Sequence, residues 1–335
     1  MPWRIDSTEA IASYARPKAE TSKSFTLTFS LQGRGDNTMT TVDPASPKKP
    51  PWTGKDKPRV MLLGAGNRPH VEEEAERLSH LLPQFAEIVH TDLEWDADLS
   101  EIEADFAIVL GGDGSILGAA RSMGNQQIPI IGVNMGKLGF LAAFTPDHVV
   151  EQLAALCAGD CQIIEHMMLR CRVFKDEEVI AERIGLNEMA LLGGPPFQIR
   201  TIDLYVDNQL ATSYSCDGLI ISTPVGSTAH NLSAGGPILR ADLRAFVVSP
   251  ISPHTLTMRS VVDTGDRCFE MHLRGSDRTM SVVVDGRVLS PITSDHRVRV
   301  DQAQPRFKLV ATHDHNYYRT LREKLGWGGQ IDHGR

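Results

Sequence analysis

The hydrophobic pattern of this chain changes its period near residue 160, and that change predicts two successive architectures. Before it, continuous apolar runs alternate with stretches of helical period. The run "RVMLLGAG" at 59–66, for example, is followed by "HVEEEAERLSHLLP" at 70–83, whose apolar side chains share one helical face. Buried strands that alternate with helices are typical of a parallel sheet covered on both sides. Residues 58–160 are therefore predicted to form a Rossmann-like α/β domain.

After residue 160, short runs of alternating hydrophobicity are separated by turn dipeptides. "MSVVVDGRVL" at 280–289 is one such pair of runs, with "DG" between them. This pattern predicts an all-β region of two packed sheets, a β-sandwich over residues 161–311. The fold class is thus α/β followed by all-β.

The two ends of the chain are expected to differ. The helical period returns in "NYYRTLREKLGW" at 316–327, with Tyr318 and Leu321 on one face, and predicts a helical segment over 312–330 that packs back on the α/β domain. Residues 1–57 are rich in Ser, Thr, Pro and Lys and are predicted to be a disordered tail. Its one hydrophobic piece, "FTLTFSL", is an alternative candidate strand.

Composition excludes several classes of protein. The formal net charge of −8 argues against a nucleic-acid binder that depends on a basic surface. No apolar run approaches the roughly 18–20 residues that a membrane-spanning helix needs, so no membrane partner is expected. The five scattered cysteines, an odd number, indicate reduced thiols in a cytoplasmic protein. Cys157 and Cys161 have the spacing of one helix face, but no second pair with ligand spacing follows, and no protein-held metal site is predicted.

Gly111, Gly112, Asp113 and Gly114 stand between a predicted buried strand and a predicted helix. Glycines at such a turn let backbone N–H groups converge on an anion, and the helix N-terminus adds partial positive charge. A carboxylate repels phosphate. Asp113 therefore fits this loop if it accepts a proton from a hydroxyl that is being phosphorylated, or holds a cation between phosphates. The alternative is a plain turn.

The stretch "DGLIISTPVGSTAHNLSAGGPIL" at 217–239 begins as a strand and continues with small hydroxyl-bearing residues and glycines. Thr223, Ser227, Thr228 and Ser233 offer short donors and acceptors, and the glycines allow a ligand to approach the backbone closely. Such a surface suits ribose hydroxyls and an adenine edge. A Ser/Thr-rich turn at a solvated edge is the alternative.

Two further signals are weaker. Asn187 and Glu188 interrupt an apolar strand in "GLNEMALL", where an amide beside a carboxylate can contact a purine or a sugar, or simply mark a kink at the strand end. "LLGAGNRP" at 62–69 resembles the start of a dinucleotide fingerprint, but Pro69 stands where its last glycine belongs. We interpret it as a turn after the first strand.

Taken together, these motifs resemble NAD kinases over about residues 59–328. The resemblance is carried by "GGDG" at 111–114, "GVNMGKLGFL" at 132–141, "LNE" at 186–188, the stretch 217–239, "PHTLTMR" at 253–259, "DG" at 285–286 and "YYRTLREKLGW" at 317–327. "GGDG" alone is shared with lipid kinases and phosphofructokinases, whereas the order and spacing of the others are specific. The resemblance implies that NAD binds between the two regions and that the protein is a homodimer or homotetramer.

The resemblance also implies the reaction and its residues. ATP, with Mg²⁺ or another divalent cation, would phosphorylate the 2′-hydroxyl of the adenosine ribose of NAD, giving NADP and ADP. Asp113 would accept the proton, and Gly111, Gly112 and Gly114 would line the phosphates. The implied NAD-binding residues are Asp113, Gly114, Asn187, Glu188, Asp217, Thr228, Ala229, His230, Asn231, Leu232 and Ser233. Asp217 would face the nicotinamide end, of this or a neighbouring subunit's ligand.

Three residues depart from the family pattern: His230 stands where Tyr is usual, Val225 where Thr is usual, and Arg287 where Gln is frequent. They bear on NAD affinity and on the choice between NAD and NADH, not on the reaction. Two alternative functions stay open. A lipid or sugar kinase would share "GGDG", although the Ser/Thr-rich wall disfavours it. An NAD sensor without turnover would be expected to lack the acid, yet Asp113 is present. Polyphosphate in place of ATP is also open.

Overall fold

Strands dominate the part of the chain that the computed structural model describes, which comprises residues 48–136, 139–194, 199–255, 257–275, 279–313 and 316–327. These residues contain sixteen β-strands and five α-helices. The strands are β1 (Arg59–Gly64), β2 (Glu87–Asp92), β3 (Phe106–Gly111), β4 (Ile130–Asn134), β5 (Gln162–Lys175), β6 (Glu178–Gly185), β7 (Glu188–Gly193), β8 (Arg200–Val206), β9 (Gln209–Cys216), β10 (Gly218–Ser222), β11 (Ala245–Ile251), β12 (Val261–Thr264), β13 (Phe269–Leu273), β14 (Met280–Val284), β15 (Arg287–Ile292) and β16 (His296–Ala311). The helices are α1 (Val71–Leu81), α2 (Asp113–Met123), α3 (Pro146–Ala158), α4 (His230–Ser233) and α5 (Tyr317–Leu325).

The larger sheet joins the two predicted regions. It begins with parallel strands in the order β2-β1-β3-β4 and continues through β16-β13-β8-β9, with β5 on β16 and β6 on β5. Strand β16 pairs in parallel with β4 and antiparallel with β5 and β13, so the sheet changes from parallel to antiparallel along this one strand. The boundary near residue 160 therefore lies within a continuous sheet, and the division into two domains stays a prediction.

The second sheet is antiparallel throughout. Its six strands follow the order β12-β11-β10-β7-β14-β15. Side chains of both sheets share one core, in which Leu219 and Phe246 of the second sheet pack with Val173, Ile202 and Phe269 of the first. Two sheets packed over an apolar interior form the predicted sandwich, so the fold class, α/β followed by all-β, is confirmed.

The parallel strands are covered on both faces, as their continuous apolar runs predict. Successive side chains of a strand point to opposite faces, so Leu62 packs with α1 and α3 while Leu63 packs with α2. The α2 side also includes Leu186 and Val225 from the β-rich region. The two regions therefore meet on the face of the sheet that carries α2.

The predicted tail requires a correction. Within residues 48–57, Trp52 is fully buried, its Nε1 donates a hydrogen bond to the carbonyl oxygen of Leu156 at 2.8 Å, and its ring centroid lies 4.7 Å from that of Phe106. The packed part of the chain thus begins before the predicted boundary, because one indole anchors a segment whose prolines and lysines are typical of a linker. The rest of the predicted tail, residues 1–47, lies outside the described residues.

The C-terminal helix α5 contacts both regions. The Lys324 ammonium lies 5.8 Å from the ring centroid of Phe140, and the Tyr317 hydroxyl donates to the carbonyl oxygen of Leu239 at 2.9 Å. Leu321 is buried as expected, but Tyr318 is exposed and Tyr317 takes its place against the protein.

Candidate functional site

The turn between β3 and α2 depends on glycine. Gly111 has a φ of 147°, and a Cβ at this residue would overlap the Ser115 hydroxyl. Gly112 is the N-cap of α2 and offers no capping side chain, and Gly114 is exposed at the helix N-terminus. Asp113 is the first residue of the helix. The four residues of the predicted phosphate loop therefore form one tight turn that opens at a helix N-terminus.

The Asp113 carboxylate is held by a neighbouring backbone segment. Its Oδ2 accepts the N–H of Phe140 at 2.8 Å, and its Oδ1 accepts those of Leu141 and Ala142 at 3.0 and 3.2 Å. Gly139 lies so close that a Cβ there would overlap Oδ1. An ionised carboxylate has about four acceptor sites, so three are filled by the protein and one, on Oδ2, is left for a ligand.

A second aspartate holds the loop of Asn187 and Glu188 in the same way. The Asp285 carboxylate accepts the backbone N–H groups of Leu186, Asn187 and Glu188 at 2.7, 2.8 and 3.1 Å. Burial raises the pKa of Asp285, although these three N–H groups and the nearby Arg121 guanidinium lower it. The "DG" of the sequence resemblance is thus the anchor of the "LNE" loop.

Glu188 is a second acid of this site whose pKa is raised. It is buried, and its Oε2 has no hydrogen-bond partner among the described residues. Burial raises the pKa of Glu188 to about 8, the neighbouring Asp285 carboxyl acts in the same direction, and the backbone N–H of His230 lowers it. A buried carboxyl oxygen without a hydrogen-bond partner lowers the stability of the folded protein unless a ligand or water supplies that partner. It therefore points to a ligand.

The hydroxyls of the 217–239 stretch are used differently from what the sequence predicts. Thr223 Oγ1 donates to the carbonyl oxygen of Leu186 at 2.6 Å, and Ser227 Oγ to that of Pro224 at 2.6 Å. Thr228 Oγ1 donates to the carbonyl oxygen of Val225 at 3.0 Å. These side chains satisfy the chain's own backbone. The stretch is a rigid, internally bonded turn, and we correct the expectation that its hydroxyls are all available to a ligand.

The rest of the turn packs against the Asn187 loop. A Cβ on Gly226 would overlap the Asn187 carbonyl group, so this contact requires glycine. Ala229 precedes α4, and His230, its first residue, is half-buried beside Glu188. The structure thus brings residues 187, 188 and 226–230 together.

Three other predicted residues lie on or near α4. The Asn231 side chain is fully buried: its Nδ2 donates to the carbonyl oxygens of Ser227 and Pro237, and its Oδ1 accepts from Ser249. Its amide therefore stabilises the turn. Leu232 is half-buried and Ser233 exposed.

Asp217 is separated from the other predicted residues. It precedes β10, whereas Thr223 follows the opposite end of that strand. Six residues of strand span about 20 Å. The side chain of Asp217 is half-exposed, and its Oδ1 lies 3.6 Å from Nε2 of His254. Within one chain the structure does not bring Asp217 to this site, and its contact with a neighbouring subunit's ligand stays a prediction.

A cleft of about 880 Å³ opens beside Gly114 and Ser115, and the sequence analysis did not predict it. We call it the arginine cleft because four guanidinium groups, but only one carboxylate, are among its lining residues. These residues are Ala65, Asn67, Arg68, Glu94, Trp95, Gly114, Ser115, Gly118, Arg121, Arg183, Arg287 and Val288. A concave surface with excess positive charge at a helix N-terminus suits a polyanion.

The arginines of the cleft lie close enough to affect one another. Burial lowers the pKa of Arg121, the positive charges of Arg287 and Arg183 lower it further, and Asp285 acts in the opposite direction. Arg183 is held in place by Nη1, which donates to the carbonyl oxygens of Arg287 and Val288 at 3.1 and 3.2 Å. Asp285 thus interacts both with the loop of Asn187 and Glu188 and with Arg121 of the arginine cleft.

Sequence reasoning missed this cleft because its charges come from four separate segments: the β1–α1 turn, α2, β6 and β15. Arg287 was singled out only as a departure from the family pattern. One usable signal was present. Gly114, Gly118 and Arg121 recur at helical spacing after the glycine loop, which places Arg121 on the helix face below that loop.

The described residues contain no cluster of three or more His, Cys, Asp or Glu side chains that could hold a metal ion. None of their helices is long and apolar enough to cross a membrane. All five cysteines are unpaired, and four of them are buried.

Two protein-family models match this sequence. One is the ATP-NAD kinase N-terminal domain, which matches residues 63–161. The other is the ATP-NAD kinase C-terminal domain, which matches residues 186–312. The first match contains the glycine turn and Asp113. The second contains the Asn187 loop, the 217–239 stretch and Asp285.

Individual proteins give the same result. The NAD kinase of Rhodopirellula baltica is 50% identical over 288 residues, which cover 86% of this chain and 93% of that protein. The NAD kinase of Geobacter sulfurreducens is 41% identical over 225 residues, or 67% of this chain and 79% of that protein. A yeast NADH kinase complexed with NADH shares the fold, with a TM-score of 0.72 at 22% identity, covering 84% of this chain and 91% of that one. An Archaeoglobus fulgidus NAD kinase in complex with ATP has a TM-score of 0.63 at 25% identity, covering 80% of this chain and 98% of that one.

Proposed function

This chain belongs to the NAD kinase family and phosphorylates NAD to NADP, and we propose that the donor, ATP, places its phosphates in the arginine cleft beside Asp113. One observation carries the proposal. Asp113, whose carboxylate keeps one free acceptor site, is the first residue of α2, and the next two residues of this helix, Gly114 and Ser115, line the arginine cleft. A proton acceptor and a site for a polyanion therefore adjoin.

In this arrangement Asp113 accepts the proton of the 2′-hydroxyl of the NAD adenosine. The 2′-oxygen forms a bond to the γ-phosphorus of ATP, the bond from that phosphorus to the bridging oxygen breaks, and its electron pair leaves on ADP. Catalysis of phosphoryl transfer consists mainly of positioning and charge stabilisation. Here Arg121, Arg183 and Arg287 supply the charge, and Gly111, Gly112 and Gly114 allow the phosphates to approach the backbone.

The NAD adenosine would occupy the pocket of Asn187, Glu188 and His230. Glu188, with its pKa raised to about 8, is protonated at neutral pH and can donate a hydrogen bond from the Oε2 that lacks a protein partner. The backbone of Thr228 and Ala229, with Leu232 and Ser233 of α4, would form the adjoining wall. Asn231 would contribute through its position in the turn, since its amide is already bonded.

The divalent cation, Mg²⁺ or another, is proposed to arrive with ATP. The donor set of the cleft is four guanidinium groups and one carboxylate, Glu94, and such a set does not fit a protein-held dication. Mg²⁺ commonly keeps several waters and binds substrate phosphates. When bound, it would neutralise part of the charge on the ATP phosphates.

We also propose a cellular location and an oligomeric state. The unpaired, mostly buried cysteines and the absence of a spanning helix among the described residues support a cytoplasmic protein. Assembly as a homodimer or homotetramer would allow Asp217, which is remote from the pocket of its own chain, to meet the nicotinamide end of a neighbour's ligand.

The test is direct. The purified protein is incubated with NAD, ATP and Mg²⁺, and NADP is quantified with an NADP-specific dehydrogenase; omission of ATP is the control. We expect NADP and ADP in equal amounts. NAD binding by calorimetry without any NADP would instead indicate a sensor, and ATP consumption without NAD dependence would indicate another kinase. Parallel reactions with NADH and with inorganic polyphosphate define the acceptor and donor ranges.

A further inference from the structure

Trp95 lines the arginine cleft, and the surrounding structure holds its backbone in an unusual conformation. It follows β2 with a φ of 62°, in the left-handed region that bulky residues rarely adopt. Strained backbone of this kind persists only where the surroundings over-determine it. Trp95 is half-buried and is one of the residues that line the cleft.

The surroundings that enforce it centre on Asp92. This buried carboxylate accepts the backbone N–H groups of Glu94 at 2.9 Å, Trp95 at 2.7 Å and Ala97 at 3.2 Å. Burial raises the pKa of Asp92, but these N–H groups outweigh burial, and the net shift is downward. An ionised carboxylate with three backbone N–H partners thus fixes the turn that carries the indole.

The helix opposite makes room for the ring. Gly118 of α2 faces the indole, whose carbons would lie 3.6 Å from a Cβ at that residue, in ordinary van der Waals contact. One side of the ring therefore rests on α2, one turn below the glycine loop. The side chain also packs against the core on the α2 side of the parallel sheet, and it lines the arginine cleft together with Arg68, Arg121 and Arg287.

We propose that Trp95 packs against the nucleobase of the phosphoryl donor and so selects a nucleoside triphosphate over inorganic polyphosphate. The inference rests on the proposed function, since it assigns the donor to the arginine cleft. The arginines recognise phosphates alone and would accept either donor. An aromatic surface adds affinity only for a ligand with a base, because stacking needs a second π-face.

The test compares two ligands that share phosphates and differ in the base. At saturating NAD, KM is measured for ATP, and the competitive inhibition constant is measured for inorganic tripolyphosphate against ATP. We expect Trp95→Ala to raise KM for ATP by about 5- to 100-fold, the range of base–aromatic stacking, and to change the tripolyphosphate constant by less than about twofold. Trp95→Phe should restore most of the ATP affinity. Arg287→Gln should weaken both ligands.

Trp327→Ala is the matched control, since this exposed tryptophan lies outside the cleft. If Trp95→Ala changes neither constant, the indole is outside the donor site and the inference is wrong. If it weakens ATP and tripolyphosphate equally while the protein stays folded, Trp95 supports the shape of the cleft and contacts no base, which also overturns the inference. Failure of the wild-type protein to form NADP from ATP would instead contradict the proposed function.

Discussion

At the scale of single residues, three aspartates do the same structural work around one site. Asp92, Asp113 and Asp285 each accept three backbone N–H groups from a segment that would otherwise be irregular loop. Hydrogen bonds from backbone N–H groups to a carboxylate are stronger than those between neutral groups, so each aspartate stabilises its loop. Asp113 differs from the other two in belonging to the glycine turn, as the first residue of α2. Its proposed catalytic role is therefore added to a structural one.

This double role makes Asp113→Asn a composite change. The asparagine side chain has only one acceptor oxygen. Its Nδ2, itself a donor, would therefore face a backbone N–H that donates to the carboxylate in the wild type. We expect kcat to fall by about 10² to 10⁴, the usual contribution of a positioned base, with the Kd for NAD changed less than about threefold. Asp207→Asn is the control, since Asp207 also accepts a backbone N–H, from Cys268, away from the site. If kcat, Kd and the melting temperature of Asp113→Asn all shift together, loop anchoring accounts for the loss and Asp113 is no base.

Glu188 should make the free protein less stable as pH rises. Its pKa is about 8 in the folded state against an ordinary 4.5, so between these values the folded protein holds a proton that the unfolded chain has lost. The free energy of unfolding should therefore fall through this window, at most by about 1.4 kcal/mol per pH unit. Urea unfolding from pH 5 to pH 8 should show a smaller fall for Glu188→Gln. Exposed Glu151→Gln should follow the wild type, and parallel curves for Glu188→Gln and wild type would contradict the shift.

Substitution of His230 tests whether its departure from the family pattern affects NAD affinity. The residue is half-buried, its backbone N–H interacts with Glu188, and it belongs to the wall proposed for NAD. Tyrosine offers a larger aromatic surface, so His230→Tyr should tighten NAD by about 0.5–1.5 kcal/mol. Calorimetric titration with NAD measures the change. An affinity unaltered by both His230→Tyr and His230→Ala would remove this side chain from the pocket.

At the scale of elements, the sequence predicts a helix or strand where its hydrophobic pattern repeats. It does not predict a packed segment whose burial depends on one side chain. Helix α1 and the strands β1 and β3 follow from their apolar periods. Trp52 does not, because a single indole among prolines and lysines has no period. The hydroxyls of Thr223 and Ser227 were misjudged for a related reason: composition shows that they are donors, but only the fold shows that neighbouring carbonyl groups accept from them.

The segment around Trp52 should therefore matter for stability. Trp52→Ala removes a fully buried side chain and its hydrogen bond to Leu156, and should cost about 3–5 kcal/mol. Exposed Trp327→Ala should cost less than about 0.5 kcal/mol. Urea unfolding measures both. A protein lacking residues 1–57 should likewise unfold at a lower temperature than one lacking residues 1–47, and equal melting temperatures would show that residues 48–57 add nothing.

At the scale of the whole molecule, the site exists only where distant segments meet. The arginine cleft combines the β1–α1 turn, α2, β6 and β15, and Asp285 connects it to the loop of Asn187. Local sequence can show that Gly111 to Gly114 form a phosphate-type turn, since those residues are contiguous. It cannot show that Arg121, Arg183 and Arg287 converge, because their proximity depends on where β6 of the larger sheet and β15 of the second sheet lie relative to α2.

Strand β16 runs through both regions of the protein, and we therefore expect the two regions to unfold in one transition. Strand β16 pairs with β4 of the parallel region and with β13 of the sandwich, so neither region can lose it alone. Leu309 of β16 packs on the α2 side of the parallel sheet, and Val298 of the same strand packs in the sandwich core.

Urea unfolding is followed by tryptophan fluorescence, which among described residues reports mainly on Trp52 and Trp95, and by far-ultraviolet circular dichroism, to which all strands contribute. We expect coincident transitions for the wild type. Leu309→Ala, at a cost of about 2–5 kcal/mol, and Val298→Ala should each move both midpoints together. If Leu309→Ala moved the fluorescence midpoint alone and Val298→Ala only the dichroism midpoint, the regions would be independent domains despite the strand they share.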